Sequence, residues 1–275
     1  MEYVPKEIKE EVNVTPIHPL KYLAKVIAIL GFWALIFYLV SGAIAAQVAQ
    51  KLDPALEAKI GQTLIAPIVA EDVRPAEEQR LQSLLNELQQ TVRKPQAEIH
   101  IIDSEAVNAG VLPGGQMLIT TALLDNAESE NELAFVLAHE LGHHQLRHPS
   151  NRLGRSLLWV TMLSVLGLGQ QTSIADPTAP LQLLDLQFSR SQELASDRFA
   201  LAIVANRYGH VGHSLDFFKR LQAQRRGSVT QTAQLEFLAT HPFPKNRIKN
   251  LERYARQQRW RLDGNATEIE LDETR

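Results

Sequence analysis

Twenty-one consecutive uncharged residues, VIAILGFWALIFYLVSGAIAA from Val26 to Ala46, restrict this chain more than any other stretch. A run of about 20 such residues spans the hydrocarbon of a bilayer as one helix, and a lone segment in lipid has no other way to satisfy its backbone. Trp33 and Tyr38 lie within it, and Lys21 and Lys25 stand just upstream. A cleaved signal peptide is the rival, because Ala43-Ile44-Ala45 fits an A-x-A cleavage pattern, but the 25 residues ahead of the apolar run are long for one. We therefore expect an uncleaved, single-pass anchor over 26–46. Lys6, Lys9, Lys21 and Lys25 precede it and only Lys51 and Lys59 follow closely, which puts residues 1–25 in the cytoplasm and the rest on the extracytoplasmic, periplasmic side.

The remainder has enough apolar material for a core, at 45% hydrophobic residues overall. A net charge of −3 without a basic run lacks the electrostatic footprint of a nucleic-acid binder. Cysteine is absent, which excludes disulfides, thiolate metal sites and a cysteine nucleophile. Any metal must be held by His, Asp or Glu.

A polar connector is expected over 47–64, a catalytic domain over 65–260 and an acidic, mobile tail over 261–275, within which Asn265-Ala266-Thr267 fits a glycosylation acceptor. Inside the domain, Pro75 to Thr91 carries Leu81, Leu84, Leu85 and Leu88 at helical spacing. AEIHIID (Ala97 to Asp103) alternates like a strand, and QMLIT follows the turn signal Pro113-Gly114-Gly115 as another, together suggesting a small antiparallel sheet. The later part is helical in character, apart from loops near Gln170 to Pro180 and Gly227 to Pro244. A second apolar run, Ser156 to Gly169, has 14 residues, too few for a crossing; it reads as a core helix or as a membrane-dipping hairpin or lid.

Four of the nine histidines fall in LAFVLAHELGHHQLRHPSN, Leu133 to Asn151. Ser129 and Glu132 form a capping box, Leu133, Val136, Leu137 and Leu141 share a face, and Pro149 ends the pattern, so the stretch is a helix. His139 and His143 then stand about 40° apart and about 6 Å along the axis, so both imidazoles reach one ion. Glu140 flanks that ion without ligating it and can take a proton from water activated there. A solvated helix with spare histidines has the same three residues, but Gly142 in a helix interior costs about 1 kcal/mol against Ala and implies that another group approaches the backbone. His144 and His148 make a second i, i+4 pair, but no glutamate precedes His148 in the required place; we read them as supporting residues. The extended H-E-x-x-H-x-x-G-x-x-H pattern fails at Leu146 and Pro149. A third ligand must come from elsewhere.

FSRSQELASDRFALAIVANRYG, Phe188 to Gly209, has helical apolar spacing at Phe188, Ala195, Phe199 and Ala202, with Glu193 and Asp197 four apart on one face. Such a pair is commonly a solvated acidic surface. Beside a two-histidine motif it offers one carboxylate to the metal and another to fix a ligand imidazole.

Four ordered stretches, NAGVLPGGQMLIT, AHELGHHQLRH, SRSQELASDRFA and THPFPKNRI, make the chain from about Ile65 to Tyr254 resemble the membrane-associated gluzincin metallopeptidases of the HtpX and CAAX prenyl protease type, which include quality-control proteases. The resemblance implies a mainly helical α+β zincin fold with one Zn2+ on His139, His143 and Glu193, Glu140 as general base and Asp197 bonded to a ligand imidazole. It makes Gly115, Gln116, Met117 and Leu118 part of an edge strand beside the zinc, to which an extended substrate adds by main-chain hydrogen bonds. It further assigns Asn108 and His241 to oxyanion stabilisation, His241 having as its alternative a plain loop histidine, and Arg247 to a buried carboxylate. One clear membrane span, against several in many members, argues against carrying over their topology or prenylated substrates.

The reading reached is a membrane-anchored zinc metalloendopeptidase acting on misfolded or misassembled membrane or envelope proteins. The alternatives are a zinc-containing chaperone or scaffold of the same fold with little proteolysis, and a zinc hydrolase of non-peptide substrates.

Overall fold

The computed structural model describes residues 18–69, 73–90, 92, 97–165, 187–227, 237, 240–241 and 246–269. The chain divides into two units, Met1–Ile44 and Ala45–Arg275. Helix α1 covers Pro19–Lys51, and Ile27, Leu30, Trp33, Leu35 and Leu39 along it are exposed. Among the described residues it is the one helix long and apolar enough to cross a membrane, over Pro19–Ile44.

The second unit continues with α2 (Pro54–Ile65), α3 (Pro75–Leu88), β1 (Glu98–Ile102), β2 (Ala109–Val111), a 3-10 turn (Pro113–Gly115), β3 (Gln116–Thr120), α4 (Thr121–Asn126), α5 (Glu130–Gln145), α6 (His148–Val165), α7 (Arg190–Tyr208), α8 (Asp216–Gly227) and α9 (Arg247–Gln257). The axis of the unit is α5, buried on every side from Asn131 to His144, as an interior helix must be. It packs chiefly on α7, with α3 and the sheet against its other faces. Leu81, Leu84, Leu85 and Leu88 of α3 are buried together, as their spacing predicts. Phe135 of α5 meets Phe218 of α8 edge to face at 5.4 Å, and Phe217 and Phe237 extend that cluster.

The sheet corrects two expectations. It is mixed, in order β1-β3-β2, with β1 parallel and β2 antiparallel to β3. Gln116, Met117 and Leu118 therefore lie on the central strand, and Gly115 in the turn before it, none of them on an edge. The parallel pairing follows from β2, three residues too short to announce themselves by alternation, which supplies the crossover. The outer edge of β1 is closed by α3: Ile99 N and Ile101 N donate to Gln82 Oε1 and Glu78 Oε2, each at 2.8 Å. The remaining sheet edge is β2.

The connector expected over 47–64 contains the end of α1 and nearly all of α2, which is capped by Asp53, whose side chain accepts from Ala55 N at 2.7 Å. It packs on the Pro-Gly-Gly turn so closely that a methyl on Gly114, which has φ +79°, would stand 2.7 Å from Glu57 O. The tail is also corrected over 263–269: Glu130 N donates to Thr267 O at 2.9 Å, Thr267 N donates to Asn131 Oδ1 at 2.7 Å, and Ile269 packs against the core. Helix α6 takes up the Ser156 run as far as Val165; residues 166–169 and the loop at 170–180 lie outside the described residues, as does most of the loop at 227–244.

Candidate metal centre

Ser129 caps α5, its side chain accepting from Glu132 N at 3.4 Å. The capping box is only half formed, because Glu132 accepts from Glu128 N instead, at 2.9 Å, and takes both Arg220 guanidinium nitrogens. Further along, the helix presents the face carrying His139 and His143 to α7. Gly142 is where the two backbones meet: an added methyl would lie 3.0 Å from Ser196 Cα, which explains a glycine inside a helix.

The inward face of α7 differs from the expected apolar stripe. Ala202 is exposed and Phe199 half-buried, while Glu193, Ser196, Asp197, Ala200, Leu201 and Val204 are buried. Small residues let α7 approach, and the two carboxylates thereby reach α5 rather than solvent. Glu193 Oε1 lies 3.3 Å from His143 Nε2, Glu193 Oε2 lies 3.6 Å from His139 Nε2, and the two imidazole Nε2 atoms are 3.1 Å apart. His241, whose backbone N–H donates to Phe237 O and whose ring stacks on Phe237, brings Nδ1 to 3.1 Å from Glu193 Oε1 and 3.3 Å from His139 Nε2. The four residues are buried, and one potential ligand atom from each lies within 4.8 Å of the others, a grouping that could hold a metal ion.

Side chains of this group are held from behind. Asp197 Oδ1 is 3.1 Å from His139 Nδ1, and Asp197 in turn is gripped by Arg247, Nε and Nη2 donating at 2.7 and 2.6 Å. Arg247 Nη1 also stands 2.9 Å from Glu193 Oε2, so the expected pairing of Arg247 with a buried carboxylate is met twice. His143 Nδ1 is 3.0 Å from His148 Nδ1, and its ring lies against Phe188 with centroids 3.8 Å apart. His148 does not continue α5, as its i, i+4 spacing from His144 suggests. The helix stops at Gln145, Arg147 adopts φ +55°, and His148 opens α6 with Pro149 next, the position where proline favours a helix start. That break turns His148 back towards His143. His144 is buried and faces Gly115, where an added methyl would stand 3.1 Å from its ring.

Charge and burial favour the neutral imidazole of His143 and the ionised carboxylates of Glu193 and Asp197, the states that a metal site requires. Burial pushes the His143 pKa well below the ordinary imidazole value, keeping it neutral. Burial would raise Glu193, but the surrounding His241, His143 and His139 rings outweigh it and hold the carboxyl well below its usual range. Burial likewise opposes ionisation of Asp197, and Arg247 and His139 overcome it. His241 is raised despite burial, by Glu193 and Glu140. Glu140 is fully buried and, among the described residues, neither of its carboxylate oxygens has a hydrogen-bond partner; His241 Nε2 approaches Oε1 only to 3.5 Å. A buried carboxylate left so is expensive unless a ligand or activated water meets it, which fits a metal at the adjoining cluster. Asn108 stands apart from this cluster in its contacts: its Oδ1 accepts from Ala109 N and its backbone pairs with Thr120.

The model of peptidase family M48 matches residues 75–255, well over half of the chain. The chain belongs to peptidase family M48. Among its curated relatives, the mitochondrial metalloendopeptidase OMA1 of Bos taurus is 32% identical over 171 residues, 56% of this chain and 32% of its own length. The Saccharomyces cerevisiae mitochondrial metalloendopeptidase OMA1 is 30% identical over 167 residues, 57% of this chain and 46% of its own. The beta-barrel assembly-enhancing protease of Yersinia pestis is 26% identical over 182 residues, 61% of this chain and 36% of its own. The chain thus matches between about a third and a half of the length of these relatives. The M48 match contains every candidate ligand, but begins beyond α2 and α1. The contributions of Phe188 and Phe237 to the site were not legible, since an aromatic side chain gives no signal in sequence of which ring it stacks on.

Proposed function

We propose that this chain is a membrane-anchored zinc metalloendopeptidase. The observation that carries this is the buried set His139, His143 and Glu193 beside a Glu140 carboxylate that lacks any hydrogen-bond partner among the described residues. Zinc suits two neutral imidazoles and one carboxylate, and when bound supplies a Lewis acid that polarises a carbonyl and acidifies water. Glu140 is placed to receive a proton from that water and to return it to the leaving amine. Asp197 and His148 keep the His139 and His143 rings turned to the ion through their Nδ1 atoms. His241, with its Nε2 towards Glu140, is our candidate to meet negative charge on the scissile carbonyl oxygen; Asn108 is a second, at the start of β2.

An extended substrate adds to a sheet edge that no strand or side chain of the protein already pairs. Side chains of α3 occupy that of β1, so Ala109–Val111 of β2, rather than Gly115 to Leu118, is the strand to which we assign substrate addition. Main-chain pairing of this kind suits unfolded or misassembled membrane or envelope proteins, without strict sequence requirement. The α1 helix would hold the catalytic unit at the membrane, with the N-terminus cytoplasmic.

The deciding experiment measures zinc content and casein cleavage of Glu140→Gln. Retained zinc with cleavage lost is the expected result; cleavage that persists, or that is indifferent to zinc removal, defeats the mechanism. A chaperone or scaffold predicts that the wild type itself cleaves no faster than the variant, and mass spectrometry of products excludes or finds a non-peptide hydrolase. Protection of the catalytic unit from external protease in cells with a permeabilised outer membrane would reverse the assigned orientation.

A further inference from the structure

The residues flanking His148 in sequence meet a buried carboxylate that the mechanism above does not use. Glu57, on α2, is 5% exposed. Its Oε1 accepts from the Ser150 hydroxyl in a short hydrogen bond, and its Oε2 is 3.6 Å from Arg147 Nη2. Arg147 Nη1 donates to Leu52 O at 3.1 Å, so the residues that follow α1 directly are tied into the same knot. The segment held this way runs from Arg147, in the break between α5 and α6, to Ser150 in the first turn of α6. Arg147 adopts a left-handed φ of +55°, a conformation that an L side chain occupies only when its surroundings impose it. Within this clamped segment stands His148, itself buried, with Nδ1 3.0 Å from His143 Nδ1.

We infer that Glu57 is a positioning residue of the metal centre, acting through the Arg147–Ser150 segment and His148 on the orientation of His143. The chemistry is that of a ligand imidazole whose far nitrogen is fixed. His143 ligates through Nε2, its Nδ1–H donates to His148 Nδ1, and the angle of that bond is set by where the break holds His148. Glu57 binds Ser150 and Arg147 at once, on either side of His148, so it fixes the position of the segment more firmly than either contact alone. The stretch immediately after the membrane helix is thereby a component of the catalytic centre, although it lies outside the region matched by the family. The inference rests on the reading of His143 as a metal ligand.

The test uses the full chain in detergent, with Glu57→Gln, Ser150→Ala and His143→Ala. Zinc affinity is measured by competition with a chromophoric chelator, the ligand field by visible absorption of the Co(II)-substituted protein, and kcat and KM on a fluorogenic casein. Glu57→Gln keeps an acceptor for Ser150 but loses the charge that faces Arg147; it is expected to weaken zinc binding about 10-fold, shift the Co(II) bands and lower kcat with KM unchanged. Ser150→Ala should move the same readouts in the same direction by less. Wild-type zinc affinity and Co(II) spectrum in Glu57→Gln overturn the inference, even if its thermal midpoint falls, because a merely structural role would leave the metal untouched. If Glu57→Gln does not fold, Ser150→Ala decides by the same criteria. Retention of zinc by His143→Ala overturns the ligand reading itself, and so separates that failure from the failure of this proposal.

Discussion

Glu132 and Glu140 lie eight residues apart on α5, one at 2% exposure and the other fully buried, and their surroundings are opposite. Glu132 takes two Arg220 nitrogens at 2.6 and 2.7 Å and the Glu128 N–H at 2.9 Å. Glu140 has no hydrogen bond among the described residues. The first end of the helix also holds Arg207 and Tyr208 on Glu130, and the returning tail on Asn131. The second collects ligand atoms that face one another across a gap. A helix that is equally buried at both ends is thus fastened at one and held ready at the other. Burial alone does not set Glu140 apart from Glu132; the lack of a hydrogen bond does.

Exchanging each glutamate for its amide tests that contrast most directly. Glu140→Gln should lower kcat/KM by about 10²- to 10⁴-fold, the usual contribution of a positioned general base, while Glu132→Gln stays near wild type at a temperature where both are folded. Comparable losses in the two variants would erase the distinction. Next in size is the support behind the ligands. Arg247→Met leaves Asp197 and Glu193 buried without their cation and should destabilise by about 3–5 kcal/mol, read as a shift in the urea midpoint. An unchanged midpoint would mean that the site tolerates two buried carboxylates without a cation, and that Arg247 is not what holds them. Glu132→Gln should reduce stability by about 1–3 kcal/mol, because Arg220 is partly exposed and can turn to water. Smallest is Ser129→Ala, at about 1 kcal/mol for the lost cap, with zinc affinity unaltered; a change in zinc affinity would show that the two ends are coupled.

The pairs His139/His143 and Glu193/Asp197 were legible because each sits four residues apart on a helix, and one turn of helix fixes what such residues can share. Strand β1 and the leucine stripe of α3 were legible for the same reason: a local period dictated the face. What escaped depends on distant neighbours. The parallel pairing of β1 with β3 is decided by the three-residue β2, and α2 is built into the unit by a turn more than fifty positions away that accepts only glycine against it. Counting apolar residues misassigned the inner face of α7, where Glu193 and Asp197 are buried because α5 and Arg247 supply partners that no window of sequence contains. The break at Arg147 was hidden by Pro149, which reads as a helix stop and instead begins the next helix. The tail from Asp263 looked free on charge alone, yet its backbone is bonded to Glu130 and Asn131.

Gly142 sets a dimension as well as permitting a contact. The histidines ride on α5 and Glu193 on α7, so the width of the gap between them is the separation of two rigid rods, measured where the rods touch. A methyl at 142 would meet Ser196 Cα at 3.0 Å and force a retreat of a few tenths of an ångström. Coordination bonds tolerate about 0.2 Å. The absence of one carbon atom in a residue that bears no ligand is therefore a gauge for the ion, and a slow drift in helix packing anywhere along α5 and α7 would be felt first as a change in which metals fit.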